Sequence, residues 1–222
     1  MSEKNQVEKV ILSPFERGFD KLGTKLMPIV PMGVTPNNIT SIGFIAGLLS
    51  AVGFYLAGFD KRFFFLAAFC ILIHLTADSL DGAIARGRDL KSERGYFYDQ
   101  MSDIIVAVAT FLAIGFSSYA SLGIMVFPAL LYPINMVVIL HWINLKKKWP
   151  FPRFGPFEMH FCLIIIAIIS FFMGNRMFDI LGYNLGIFDI AVLIAVPFGY
   201  FEGFLSAVKL FKELDAPGKN KE

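Results

Sequence analysis

Six apolar stretches dominate this sequence, at roughly residues 39–59, 63–86, 94–116, 119–143, 157–175 and 185–210. A helix that crosses a bilayer needs about 20 such residues. None of the stretches alternates with the two-residue period of a barrel strand. The chain therefore reads as all-α and polytopic, with six transmembrane helices. The connections are short, which predicts sequential, antiparallel neighbours. Only 17% of the 222 residues are charged and 56% are hydrophobic, with a mean hydropathy of +0.63. A soluble domain carries about 25% charged residues. Disorder, a soluble enzyme and a collagen-like or disulfide-stapled domain are excluded on these grounds. A net charge of +2 is too small for a nucleic-acid binder, so no nucleic-acid partner is expected. Cys70 and Cys162 lie in apolar runs without metal-ligand spacing. The charged start MSEKNQVEKV has no apolar segment of its own, so no cleaved signal peptide is expected.

The basic residues assign an orientation. In the six-span layout, 17 of the 20 Lys and Arg fall on one side, and only Lys61, Arg62 and Arg176 fall on the other. Both termini are expected in the cytoplasm, with the protein in the cell membrane if the source is prokaryotic. Three regions follow: an N-terminal segment over 1–38, a six-helix domain over 39–212 and a polar tail over 213–222. Within the first, Phe15, Phe19, Leu22 and Leu26 recur at helical spacing, with Arg17, Asp20, Lys21 and Lys25 on other faces. That pattern predicts an amphipathic helix lying in the membrane interface. Pro28, Pro31 and Pro36 interrupt the chain after it, and Thr35-Pro36-Asn37-Asn38 reads as the start of the first span.

The second and third spans turn polar at the ends that face each other in sequence. Asp78 and Asp81 are three residues apart and Asp99 and Asp103 four apart, so each pair shares one helix face. Four carboxylates can then converge at one level. Unpaired, they would be very costly at membrane depth. Arg86 and Arg94 offset part of that cost, and bound cations offset more. The donors are all hard oxygens, which favours Mg²⁺ or Mn²⁺ over Zn²⁺. Four carboxylates suit a two-metal site of the kind that handles phosphoryl chemistry. Gly82, Ala85 and Gly95 keep the adjacent surface small, which lets a bulky phosphate group approach; close helix packing is the plainer reading of the glycines alone.

These residues form the pattern D-x2-D-G-x2-A-R-x8-G-x3-D-x3-D, filled by Asp78, Asp81, Gly82, Ala85, Arg86, Gly95, Asp99 and Asp103. The pattern resembles the signature of the CDP-alcohol phosphotransferases, integral membrane enzymes of phospholipid synthesis. The resemblance implies transfer of a substituted phosphate from a CDP-linked alcohol to an acceptor hydroxyl, with release of CMP. It implies that Asp78, Asp81 and Asp99 hold two divalent cations, with help from Asp103, and that Asp103 is the general base. It places Asp78, Gly82, Ala85, Arg86 and Gly95 around the CDP group, and it implies a homodimer. The preferred donor on this reading is CDP-diacylglycerol. The alternative is a small choline- or ethanolamine-type CDP-alcohol donating to diacylglycerol. Family members with phosphorylated acceptors usually carry Lys or Arg after the fourth acid, where this chain has Ile104.

A weaker acceptor or entrance site is expected at Asn37, Arg153, Glu158 and His160, because Glu158-Met159-His160 resembles an element of the choline/ethanolamine enzymes. A capped helix end is the plain reading of the same residues. His74 reads as a core histidine bonded across helices, and His141-Trp142 and Lys146–Lys148-Trp149 as interfacial anchors. Glu202 is expected either to pair with Lys209 or to line the chamber. A divalent-cation transporter is the competing class, since acids within spans also mark ion pathways. The acids here cluster in one half only, and Phe and Ile fill the other.

Overall fold

The structure is a computed structural model that describes residues 14–147 and 155–214. The amphipathic helix forms as expected, as α1 over Pro14–Leu26. A 3-10 turn at Met27–Ile29 follows it, where Pro28 removes a backbone donor. Then come α2 (Pro36–Ala57), α3 (Phe63–Gly87), α4 (Glu93–Phe116), α5 (Leu122–Lys146) and α6 (Pro156–Met173). A small hairpin of β1 (Phe178–Ile180) and β2 (Tyr183–Leu185) precedes α7 (Ile187–Leu214). Leu181 and Gly182 both have positive φ, the conformation of a tight two-residue hairpin turn.

All six predicted spans are helices, and five of them are long and apolar enough to cross a membrane. The sixth, α6, has a shorter apolar stretch over Phe157–Met173. That is 17 residues, or about 26 Å of helix, against a hydrocarbon core of about 30 Å. The fold is all-α and polytopic.

The expectation of sequential neighbours holds only in part. α2 packs closely against both α3 and α4, α5 packs on α4, α7 on α5 and α6 on α3, whereas α3 and α4 barely touch. The reason is the size of side chains along α2. A Cβ on Gly43 would meet Ala77 Cβ at 2.9 Å, and one on Gly53 would lie 2.8 Å from the backbone nitrogen of Ala67. On the other side a Cβ on Gly47 would collide with Val106 at 2.5 Å. Small residues let helix backbones approach in a bilayer, where no hydrophobic force draws helices together. α2 is thus the shared wall, and α3 and α4 stand apart across a cleft.

At the end away from the motif, rings interlock. Phe64 lies edge-on to Tyr119 at 4.8 Å, and Phe54 edge-on to Phe188 at 5.9 Å. Asp189, only 1% exposed, closes this end by accepting from the amides of Ser121 at 2.8 Å and Gly186 at 3.0 Å. These are orphan donors at the starts of α5 and α7, so the buried carboxylate satisfies both helix ends. Trp142 is buried rather than at the lipid interface: its Nε1 donates to Ser206 on α7. Lys146 caps α7 through the Glu213 carbonyl at 2.6 Å. Lys148 and Trp149 lie outside the described residues. Glu202 is exposed on α7 and does not line the cleft, and Lys209 lies over the Trp142 ring, 5.9 Å from its centroid.

Candidate active site

The site is assembled by three helix ends. Thr35 and Asn38 form a reciprocal capping box at the start of α2: Asn38 N donates to Thr35 Oγ1 at 3.3 Å and Thr35 N to Asn38 Oδ1 at 2.9 Å. Ser92 caps α4 by accepting from Gly95 N at 3.0 Å. At the end of α3, Arg88 donates to the carbonyls of Met27, Val30, Pro31 and Val34, over 2.5 to 3.2 Å. This guanidinium gathers four carbonyls of the proline-broken turn, of which those of Met27 and Pro31 also accept from the amides of Val30 and Val34. It pins the segment that delivers Asn37, Thr40 and Ser41 to the same end as the motif.

Asp78, Asp99 and Asp103 each offer an oxygen within 4.8 Å of the others. Asp81 is the most buried of the four acids, 6% exposed, and accepts a 2.5 Å hydrogen bond from Thr40 Oγ1. The four acids line a narrow cleft together with Thr40, Phe44 and His74. Its empty space is about 180 Å³, including the open mouth. The two predicted carboxylate faces therefore do converge, across the gap that α2 holds between α3 and α4. Like charges this close, partly removed from water, repel strongly. An oxygen-only donor set of this kind fits a hard divalent cation such as Mg²⁺ or Mn²⁺.

His74 sits at the back of the cleft. Its Nδ1 is 3.1 Å from the Gly43 carbonyl, which only accepts, so Nδ1 carries the proton. Its Nε2 points toward Asp103 Oδ1 at 3.9 Å. The histidine is thus bonded across helices, as its sequence position suggests, and it also faces the fourth acid. His160 reaches the same depth from α6, with its ring 5.2 Å from that of His74.

Of the residues expected around CDP, Asp78, Gly82, Ala85 and Arg86 lie along α3 and Gly95 at the start of α4. Arg86 Nη1 is 3.0 Å from where a Cβ on Gly82 would sit, and Arg86 Nη2 pairs with Asp20 Oδ1 at 2.7 Å. A Cβ on Gly95 would meet Asn37 Oδ1 at 2.9 Å and Ser92 Oγ at 3.0 Å. Both motif glycines thus face polar side chains rather than a packed helix backbone, unlike Gly53. Ala85 is half-buried on α3.

The described residues of the second expected patch each have a different neighbour. Glu158 accepts from Gly155 N at 2.8 Å and closes the start of α6, the plain helix-cap role. His160 lies against His74, Asn37 lies beside Gly95, and Arg153 lies outside the described residues. Sequence reading missed Thr40, whose hydroxyl holds Asp81. It also missed the bond between Ser41 and Tyr98 hydroxyls at 3.0 Å, and the Asp20–Arg86 pair. Single polar residues in an apolar helix carry no signal of which neighbour they meet.

The sequence matches the CDP-alcohol phosphatidyltransferase family over residues 33–201. It is 27% identical to cholinephosphotransferase 1 of Mus musculus over 213 residues, which cover 91% of this chain and 52% of that protein. It is 36% identical to the archaetidylinositol phosphate synthase of Pyrococcus horikoshii over 75 residues, 34% of this chain and 37% of that protein. The chain spans about half the length of the cholinephosphotransferases it matches. In fold it is similar to the phosphatidylinositol phosphate synthase of Mycobacterium tuberculosis, whose crystal structure has CDP-DAG bound. That likeness has a TM-score of 0.61 at 16% identity and covers 93% of this chain and 98% of the other.

Proposed function

Because the chain belongs to the CDP-alcohol phosphatidyltransferase family, we propose that it transfers a substituted phosphate group from a CDP-linked alcohol to an acceptor hydroxyl and releases CMP. The observation that carries this reading is the convergence of Asp78, Asp99 and Asp103 oxygens within 4.8 Å, beside a buried Asp81. These four acids would hold two divalent cations, Mg²⁺ or Mn²⁺. When bound, such cations neutralise charge on the diphosphate and its leaving group.

The chain's own residues have distinct tasks. Asp103 accepts the proton of the attacking hydroxyl. The acceptor oxygen forms a bond to the phosphorus that carries the alcohol, and the bond from that phosphorus to the CMP oxygen breaks. CMP leaves with the electron pair. Gly82, Ala85 and Gly95 leave room for the diphosphate, and the Arg86 guanidinium offers it a planar fork of donors. Thr40 fixes the orientation of Asp81. The mouth of the cleft lies at the basic end of the helices, which on the charge rule faces the cytoplasm. The homodimer belongs to this reading too, and a mass measurement in detergent tests it.

Our first reading of the donor is CDP-diacylglycerol. The second, a small CDP-alcohol donating to diacylglycerol, is favoured by the length of the match to the cholinephosphotransferases. Ile104 in place of a cation also fits an acceptor without a phosphate. The deciding experiment measures CMP release by the purified protein with Mg²⁺ or Mn²⁺. CDP-diacylglycerol, CDP-choline and CDP-ethanolamine are crossed with serine, glycerol phosphate, inositol phosphate and diacylglycerol. The expected result is CMP from one pairing, abolished by EDTA. Divalent-cation flux into liposomes with no CMP from any pairing would replace this reading with the transporter.

A further inference from the structure

The arginine of the motif is held on two sides. Its Nη2 donates to Asp20 Oδ1 at 2.7 Å, an ion pair between α1 and α3 whose side chains are 28% (Asp20) and 41% (Arg86) exposed. Its Nη1 lies over Gly82, 3.0 Å from the place a Cβ would take. One edge of the guanidinium therefore faces α1, and the other lies over the glycine that follows Asp81.

Asp20 is not on a loose arm. Beside it, Gly23 is so close to α3 that a Cβ there would be 2.5 Å from the Ser79 carbonyl oxygen. Phe19 packs against Phe157 of α6, with ring centroids 5.5 Å apart. The helix read from sequence as a surface anchor is thus seated on the catalytic helix and delivers one carboxylate to one guanidinium. That carboxylate is outside the cleft lining.

We infer that Asp20 is a positioning residue for donor binding. It holds one edge of Arg86 so that the remaining N–H groups of the fork stand over Gly82, where a diphosphate would lie. The inference rests on the reading of Gly82 and Arg86 as part of the CDP site. Without Asp20, an arginine drawn instead to the cleft carboxylates would obstruct both cations and diphosphate. A fork already aimed also loses less side-chain freedom when the ligand arrives. The charge of Asp20 itself opposes an anionic ligand, but the pair is partly exposed and water screens that repulsion.

The test is calorimetric binding of CDP to the full-length protein in detergent with Mg²⁺. Wild type should bind CDP and Asp78→Asn should not; a wild type that does not bind overturns both the site reading and this inference. With wild-type binding in hand, Asp20→Asn should weaken CDP about tenfold, with Mg²⁺ affinity and Tm unchanged. Asp20→Glu should restore binding. In an Arg86→Gln background, Asp20→Asn should cause no further loss, because the two act as one unit. Unchanged or tighter CDP binding in Asp20→Asn, or an equal loss in the Arg86→Gln background, overturns the positioning role and leaves the site reading standing. If Asp20→Asn lowers Tm, Asp20→Ser goes through the same cycle, since a general folding defect adds in both backgrounds and a lost aim does not.

Discussion

The two halves of the α2–α3–α4 unit are made from the same helices and are stabilised in opposite ways. In one half, Phe54, Phe64, Ile71, Phe111 and Ile114 are each no more than 4% exposed, and ring edges meet ring faces. The buried carboxylate at that end, Asp189, has both oxygens used by backbone amides. In the other half four acids crowd a cleft, and their neighbours Thr40, His74 and Arg86 each bond to a different helix. The first half gains free energy from burial and close packing. The second loses free energy by gathering like charges. α3 shows both behaviours along one helix, apolar from Phe63 to Ile73 and polar from His74 to Arg86. The difference teaches that the packed half supplies the frame on which the charged half, which gathers like charges, is held in place.

The largest expected effect breaks the charged half alone. Asp103→Asn removes the proton acceptor while leaving the shape, so CMP release should fall about 10²–10⁴-fold. CDP and Mg²⁺ binding, followed by calorimetry, should persist, and turnover near wild type would sink the base assignment. Next, Phe54→Ala breaks the packed half alone. Deleting so buried a ring should cost about 3–5 kcal/mol, seen as a large drop in Tm, with Mg²⁺ affinity of the folded fraction retained. Loss of metal binding at unchanged Tm would mean that the halves are not separable.

A finer probe is Thr40→Val, which keeps the volume and removes the hydroxyl that orients Asp81. Outer-shell bonds of this kind change metal affinity about 10–100-fold. A Mg²⁺ titration should show such weakening while Tm stays close to wild type; equal affinity would make the 2.5 Å bond a structural detail. The smallest effect is expected in the turn before α3, where Arg62 donates to Asp60 and holds its carboxyl below its usual 3.8. A lowered folded value means any stabilisation is present above 3.8 and is lost as the pH falls through the folded pKa. The pair lies at the surface, with side chains 80% (Arg62) and 36% (Asp60) exposed, so Asp60→Asn should leave Tm unchanged at neutral pH. A clear shift would show that this surface pair belongs to the packed half.

Much of the frame was legible from the chain. Thr35 and Asn38 bracket a proline at the start of α2, and the capping box forms from residues three apart. Phe19, Leu22 and Leu26 have helical spacing, and α1 forms. The pairs Asp78–Asp81 and Asp99–Asp103 fall on shared faces because a helix repeats every 3.6 residues. Glu158 shows the limit: beside His160 it resembled a binding element, yet its nearest need was the free amide of Gly155. Trp142 shows another, since its place near lysines suggested a lipid interface and α7 covers it instead.

What the sequence determined by itself was therefore local: which segments are helices, which end is basic, which acids share a face, and the motif that identifies the family. The tertiary structure alone decided that α2 stands between α3 and α4, so that their acids meet across a cleft rather than along a packed seam. It also decided that Thr40 holds Asp81, 41 residues away, and that Asp20 holds Arg86, 66 residues away. The physical reason is range. Backbone hydrogen bonds and hydropathy act between residues within a turn or two of each other, and the chain records them directly. A polar side chain finds its distant partner only after small residues such as Gly43 and Gly47 have set how closely the helices approach.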